Sequence, residues 1–145
     1  MSSFTSARGS TTGSAGPPPA HARNSANKDT VILTLPADSA YVGILRTTTA
    51  GVAARLHFEL GAIEDLRVAV DEACTLLLDE KAPQISCRFS IDPVGIQVEL
   101  SVRRSGKQQH WQNTFAWQLL NSLTDEVSVS ELPDTLAITL RKNLG

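Results

Sequence analysis

Residues 63–78 constrain the fold of this chain more than any other segment, because apolar residues recur there at helical spacing. The recurring residues are Ile63, Leu66, Val70, Ala73 and Leu77. Steps of three and four residues place them on one side of an α-helix. Two carboxylates stand in the first turn, where negative charge suits the helix dipole. The pattern predicts a long amphipathic helix packed on a core.

Strand and helix patterns surround this helix in an order typical of an α+β domain. Alternating apolar residues predict strands near residues 31–35, 85–91, 96–102, 127–129 and 136–140. A first helix is expected after a cap at Asp38 or Ser39, and a third from Phe115 to Leu123. The order strand, helix, helix, strand, strand, helix, strand, strand predicts a two-layer sandwich. Three helices then cover one face of a mostly antiparallel sheet.

The composition argues against several classes of protein. A formal net charge of −2 over 145 residues is unlike a general nucleic-acid binder. No apolar run approaches the roughly 18 residues of a membrane span, and the N-terminus lacks the apolar stretch of a secretory signal. Cys74 and Cys87 have no metal-type spacing, which predicts buried free thiols. We expect a cytoplasmic protein that binds neither nucleic acid nor membrane.

Residues 1–29 differ in composition from the rest of the chain. They are rich in Ser, Thr, Gly, Ala and Pro, with three consecutive prolines at 17–19. Such a segment buries too little apolar surface to offset its ordering entropy. The sequence therefore predicts a disordered, dispensable tail, followed by one folded domain over residues 30–145.

Several local stretches of this domain resemble one known family. They are residues 44–46 with the alanines that follow, residues 63–78, and residues 123–127 at the end of the third helix. Together they resemble the RsbW-type anti-sigma factor kinases, a branch of the GHKL ATPase superfamily, over about residues 30–142. The chain looks closest to the actinobacterial branch that regulates stress and sporulation sigma factors. The resemblance implies a Bergerat-like α+β fold with a nucleotide site.

The metal-binding part of that nucleotide site differs here. In the family, a Glu on the long helix serves the chemistry, and an Asn four residues later holds Mg²⁺. Glu72 matches the Glu, but Leu76 stands at the Asn position. Leucine has no oxygen to offer a hard cation. The resemblance therefore leaves only Glu72 as a catalytic candidate, and no metal ligand.

The adenine and phosphate motifs differ as well. The family's Asp-x-Gly, whose Asp accepts a hydrogen bond from adenine, corresponds here to Arg104 and Gly106. Arginine has donors and no acceptor. The family's phosphate-binding Gly-x-Gly corresponds to Thr114 and Ala116, where glycine's backbone freedom is absent. Three altered elements predict a degenerate site, so we expect neither ATP nor Mg²⁺ as a cofactor.

The resemblance implies a protein-binding function. Family members sequester a sigma factor from RNA polymerase until a STAS-domain anti-anti-sigma factor competes for them, and sequestration needs no phosphoryl transfer. Arg46 matches a partner-contacting Arg of the family's first helix, and its planar fork suits carboxylates. A solvated helix residue is the alternative for Arg46. A homodimer is compatible with the resemblance.

Two other functions stay open at this point. The chain could be an active serine/threonine kinase that phosphorylates its anti-anti-sigma factor despite the changes. It could also be a small-ligand sensor built on the altered pocket, with His110 and Trp111 near the former lid. A His and a Trp on a polar loop are more often surface or partner residues. Binding of Mg-ATP, or a co-purifying metabolite, separates these alternatives from a pure anti-sigma factor.

Overall fold

Strands from both halves of the chain form one five-stranded sheet in the computed structural model, which describes residues 29–104, 106 and 111–144. The strands are β1 (Asp29–Pro36), β2 (Gln84–Asp92), β3 (Gly95–Arg103), β4 (Glu126–Glu131) and β5 (Thr135–Asn143). Their order across the sheet is β1-β2-β3-β5-β4, and every neighbouring pair is antiparallel. The predicted N-terminal tail lies outside the described residues, except that its last residue, Asp29, already belongs to β1.

Three helices cover one face of this sheet, as the sequence predicts. They are α1 (Val42–Arg55), α2 (Leu60–Leu78) and α3 (Phe115–Leu123). Asp38 acts as the predicted cap, because its carboxylate accepts a 2.9 Å hydrogen bond from the Ala40 amide. It caps a 3₁₀ turn that leads into α1, so the α-helix itself begins at Val42. No described helix is long and apolar enough to cross a membrane.

The pairing register puts apolar side chains on the helix-covered face in every strand. One cross-strand row joins Cys87, Leu100 and Ile138, all buried. Because side chains alternate along a strand, the next row faces the open side, and on β2, β3 and β5 it joins Arg88, Glu99 and Thr139. The helices close the core from above, and the buried residues of α2 are Leu66, Ala69, Val70, Ala73, Cys74 and Leu77. The α+β sandwich and the amphipathic helix are thus confirmed.

A lysine on the last strand fixes how α3 lies beside α2. The Lys142 ammonium donates a 2.9 Å hydrogen bond to the carbonyl of Leu123, the last residue of α3. It also lies 3.6 Å from the carboxylate of Asp65, in the N-terminal half of α2. The two packed helices therefore run in opposite directions. The start of α3 falls beside the last turns of α2.

The end of β3 lies at this same end of the domain. β2 begins six residues after α2 ends, and its early residue Ile85 pairs with Val102 near the end of β3. The short connection keeps the start of β2 close to the end of α2. Segments far apart in sequence, the last turns of α2, the end of β3 and the start of α3, are therefore brought together.

Candidate functional site

Glu72 and Leu76 lie on the flank of α2 that faces α3. Asp65, Glu72 and Leu76 follow one another at steps of seven and four residues, so they share one side of the helix. Asp65 already meets the lysine that holds the end of α3. Both Glu72 and Leu76 are half-buried. The fold thus brings the expected metal and catalytic positions to the groove between α2 and α3.

These two residues give that groove one carboxylate and one apolar side chain. Leu76 packs against the hydrophobic core. Glu72 makes no hydrogen bond or ion pair with any residue that the structure describes. A cation in this groove would find Glu72 as a ligand on this flank but no oxygen from Leu76, and a carbon side chain cannot coordinate a hard ion.

Thr114 begins α3 as an ordinary helix cap. Its backbone is extended, and its hydroxyl accepts a 3.2 Å hydrogen bond from the Trp117 amide. The same hydroxyl donates a 2.6 Å hydrogen bond to the Trp111 carbonyl. Ala116 follows inside the first turn, half-buried. The first amides of α3 thus meet a capping side chain at the point where the family has bare glycine backbone.

Two tryptophans fill the core beside this cap. Trp111 is only 6% exposed and Trp117 only 7% exposed, and both belong to the main hydrophobic cluster. The expectation that Trp111 is a surface or ligand residue is therefore wrong. Sequence reasoning missed the threonine cap that lies between the two tryptophans. His110 lies outside the described residues.

Arg104 ties the end of β3 to the turn between β4 and β5. Its Nη2 donates a 2.9 Å hydrogen bond to the Glu131 carboxylate, and its Nη1 donates one of 3.0 Å to the Leu132 carbonyl. Its Nε is buried and has no partner among the described residues. Both terminal nitrogens thus serve the β4–β5 turn, in a position where the family uses an acceptor for adenine. Neither Glu131 nor Leu132 was expected to take part.

Gly106 is the part of this motif that keeps the family's residue type. Its φ is +95°, in the left-handed region, and a Cβ at this position would meet no atom within 4 Å. Glycine suits this backbone because other residues are strained there. The chain thus keeps the glycine of the motif, while an arginine stands at the position expected to recognise adenine.

Arg46 lies on the opposite flank of α2 from the groove. From α1, its Nη2 reaches both carboxylate oxygens of Asp71 at 3.2 Å. The two side chains are 40% and 37% exposed. Arg46 is therefore accessible to a partner, but it already has an intramolecular carboxylate. The sequence had not singled out Asp71 in this role.

Three cavities among the described residues lie away from the groove. One of about 530 Å³ opens on the helix-free face of the sheet between Gln84 and Arg103. Another of about 630 Å³ lies between His57 and Lys142, and a small third one lies beside Tyr41. None of these three is lined by a residue at the family's nucleotide positions. Within the described ranges, no three His, Cys, Asp or Glu side chains are grouped to hold a metal ion.

The residues of the groove do not fit Mg-ATP. Leu76 offers no metal ligand, and Thr114 caps the helix that would receive the phosphates. Arg104 presents donors where adenine needs an acceptor, and both of its terminal nitrogens are already bonded to Glu131 and Leu132. Glu72 and Gly106 keep the family's residue types. Among the described residues, the changed positions do not supply the groups that position a nucleotide for phosphoryl transfer.

Sequence comparison relates the chain to RsbW proteins. It is 40% identical over 72 residues to the serine-protein kinase RsbW of Bacillus velezensis, covering 46% of this chain and 45% of that protein. It is 31% identical over 88 residues to the anti-sigma-F factor RsbW of Mycobacterium tuberculosis, covering 59% and 52%. The chain thus spans about half the length of these relatives. No protein-family model matches it.

Structural comparison gives the same fold. The chain superposes with a TM-score of 0.64 on a crystal structure of the RsbU and RsbW domains of a Mycobacterium tuberculosis protein. The superposition covers 80% of this chain and 32% of the other, at 14% sequence identity. The resemblance to RsbW-type proteins is thus confirmed. The relatives with similar sequences carry the RsbW name, and the structural neighbour has the same fold.

Proposed function

We propose that this chain is an anti-sigma factor that binds and sequesters an alternative sigma factor of the stress or sporulation type. The observation that carries the proposal is its similarity to relatives named anti-sigma-F factor RsbW and serine-protein kinase RsbW. A STAS-domain anti-anti-sigma factor releases the sigma factor by competing for this chain. The protein acts in the cytoplasm, where RNA polymerase works.

Release proceeds by mass-action competition and not by phosphorylation of the competitor. Support comes from Leu76, Arg104 and Thr114, which are engaged in packing, in a turn and in a helix cap. Each lies at a position that the family uses for Mg²⁺, adenine or phosphate. Sequestration needs only shape and charge complementarity, which a rigid domain without a nucleotide supplies.

An active serine kinase is the second candidate function. It is favoured by the kinase name of several relatives and by Glu72, whose half-buried carboxylate has no partner among the described residues. An unusual pocket completed by residues outside the described ranges would be needed. Isothermal titration with Mg-ATP separates the candidates, since the anti-sigma proposal expects no specific heat up to millimolar ATP.

A homodimer formed through β1 accompanies this function. Residues 30–35 of this edge strand carry no charge, and Ile32 is 60% exposed on its open face. The opposite edge, β4, begins with Glu126 and ends with Glu131, and such charges discourage pairing. A second copy would pair antiparallel along β1 about a two-fold axis. Light scattering of Ile32→Lys should then give a monomer, while Val94→Lys, at another exposed apolar residue, should stay dimeric.

The experiment that tests the main proposal uses the full chain and purified alternative sigma factors of the source organism, one at a time. Isothermal titration should show one sigma factor binding with submicromolar affinity and no ATP requirement. In vitro transcription from that sigma factor's promoter should fall as the chain is added. If none of these sigma factors binds, with or without Mg-ATP, the proposal is wrong.

A further inference from the structure

The ion pair between Arg46 and Asp71 uses the guanidinium nitrogen that takes part in both ways of binding a carboxylate bidentately. A planar guanidinium binds a carboxylate bidentately through one of two edges, Nη1 with Nη2 or Nε with Nη2. Nη2 belongs to both edges, and it is the atom that lies 3.2 Å from each Asp71 oxygen. A second carboxylate therefore cannot form a fork with Arg46 while Asp71 stays in place.

The pair is weakly held compared with the other arginine pairs of the domain. Charge-assisted hydrogen bonds are usually about 2.7–2.9 Å long, so contacts of 3.2 Å are long. Both side chains are more than one third exposed. By contrast, Arg141 holds Asp92 at 2.8 Å and 3.0 Å with both side chains below 20% exposed. The Arg46 pair is thus the easier one to exchange.

We propose that Asp71 is an intramolecular competitor for Arg46, and that a carboxylate of the bound partner replaces it. This inference rests on the proposed function and on the partner contact that the family resemblance implies for Arg46. The partner's Asp or Glu takes a bidentate edge that includes Nη2, and Asp71 turns to solvent. Asp71 therefore lowers, by the same factor, the affinity for every partner carboxylate that must displace it.

The test compares neutral variants of two carboxylates on α2 in the full chain. Asp71→Asn removes the competitor, whereas Glu64→Gln removes an equal charge two turns earlier, from a carboxylate that pairs with Arg67. The probe is the purified sigma factor that binds the wild-type chain. An exposed ion pair of this kind has a coupling energy that corresponds to about a two- to fivefold change in affinity. We expect Asp71→Asn to tighten binding about two- to fivefold, and Glu64→Gln to change it by less than about twofold.

Making the Asp71 substitution in the Arg46→Ala variant as well completes a double-mutant cycle. Arg46→Ala should weaken binding, and Asp71→Asn added to it should have no further effect, because the competitor has lost its target. Weaker binding by Asp71→Asn alone, or equal tightening by Glu64→Gln, overturns the inference and leaves the anti-sigma function standing. If the wild-type chain binds no sigma factor, the proposed function fails instead. Thermal melting of each variant checks that the fold is unchanged.

Discussion

Arg141, on the last strand, holds the carboxylate of Asp92, the last residue of β2. Its Nη1 and Nη2 donate hydrogen bonds of 2.8 Å and 3.0 Å to the two Asp92 oxygens. The Val94 amide donates a third, of 2.9 Å. Gly95 is required beside this pair, because a Cβ there would lie 2.4 Å from the Lys142 carbonyl oxygen. The turn and the C-terminal strand are therefore locked to each other.

Acid should weaken the fold through this pair. The hydrogen bonds from Arg141 and the nearby backbone amides lower the pKa of Asp92 from 3.8 to about 2. A carboxyl whose pKa is lower in the folded state stabilises the fold above its unfolded pKa, and that stabilisation is lost as pH falls through the folded pKa. Urea unfolding at pH 6 should show Asp92→Asn less stable by about 1–2 kcal/mol, allowing for partial screening.

The pH dependence separates this effect from a general one. The difference between wild type and Asp92→Asn should shrink as pH falls through 3.8, be mostly lost at pH 2 and vanish below it. Asp79→Asn, at an exposed carboxylate after α2, is the matched control and should change stability little. A difference that stays constant from pH 6 to pH 2 would show that the carboxylate charge is not its source.

The arrangement of helices and strands was predictable because its signals are local and periodic. Leu66, Val70, Ala73 and Leu77 repeat at helical spacing, and all four are buried. Alternation in β2 and β3 fixes which side chains face the helices, since the period of two leaves one face for the core. Pairs such as Asp92 with Arg141 are separated by 49 residues, and no local pattern links two such positions.

His57, in the loop after α1, should be replaceable by glycine with a gain in stability. Its φ is +61°, in the left-handed region that strains residues with a Cβ. Its amide donates to the Ala54 carbonyl, as the residue after a helix end commonly does. His57→Gly should therefore raise the free energy of unfolding by about 0.5–1 kcal/mol, after allowance for glycine's greater freedom when unfolded.

The control for this change lies three residues earlier, in the last turn of α1. Ala54→Gly, inside the last turn of α1, should lower stability by about the same amount because glycine is a poor helix former. Both variants are compared by chemical denaturation. A loss of stability in His57→Gly as well would mean that the imidazole makes a contact worth more than the backbone strain.

The two cysteines should resist alkylation while the protein is folded. Burial, with a smaller contribution from the Asp71 charge, raises the pKa of Cys74 to about 11, and burial also raises the pKa of Cys87. At pH 8 the thiolate fraction of Cys74 is then about 100-fold below that of an ordinary thiol. Mass spectrometry after iodoacetamide treatment should find unmodified protein in buffer and two adducts in urea. Rapid labelling in buffer would contradict the buried placement.

The site was predictable only in its location. Motif matches at Glu72, Arg104 and Thr114 pointed to positions that the fold brings to one end of the domain. What those side chains do there was not predictable, because their partners are distant in sequence or of an unexpected kind. Arg104 bonds to the β4–β5 turn, and Thr114 serves a helix start. A family comparison identifies a missing ligand, but it does not tell how the replacement is used.

Restoring the family's metal-binding residue should destabilise the domain without creating a nucleotide site. Leu76 is half-buried and packs on the core, so Leu76→Asn loses apolar burial and places an amide against the apolar core. An unpaired buried amide is unfavourable by about 1–3 kcal/mol. Thermal melting should therefore show a lower Tm. Titration with Mg-ATP should still show no specific heat, since Arg104 and Thr114 are unchanged.

Thr75→Asn, at the neighbouring exposed position, controls for the helix propensity of asparagine and should leave the Tm within a degree or two of wild type. If Leu76→Asn melts like Thr75→Asn, the groove is open and hydrated, and the nucleotide cavity persists in this protein.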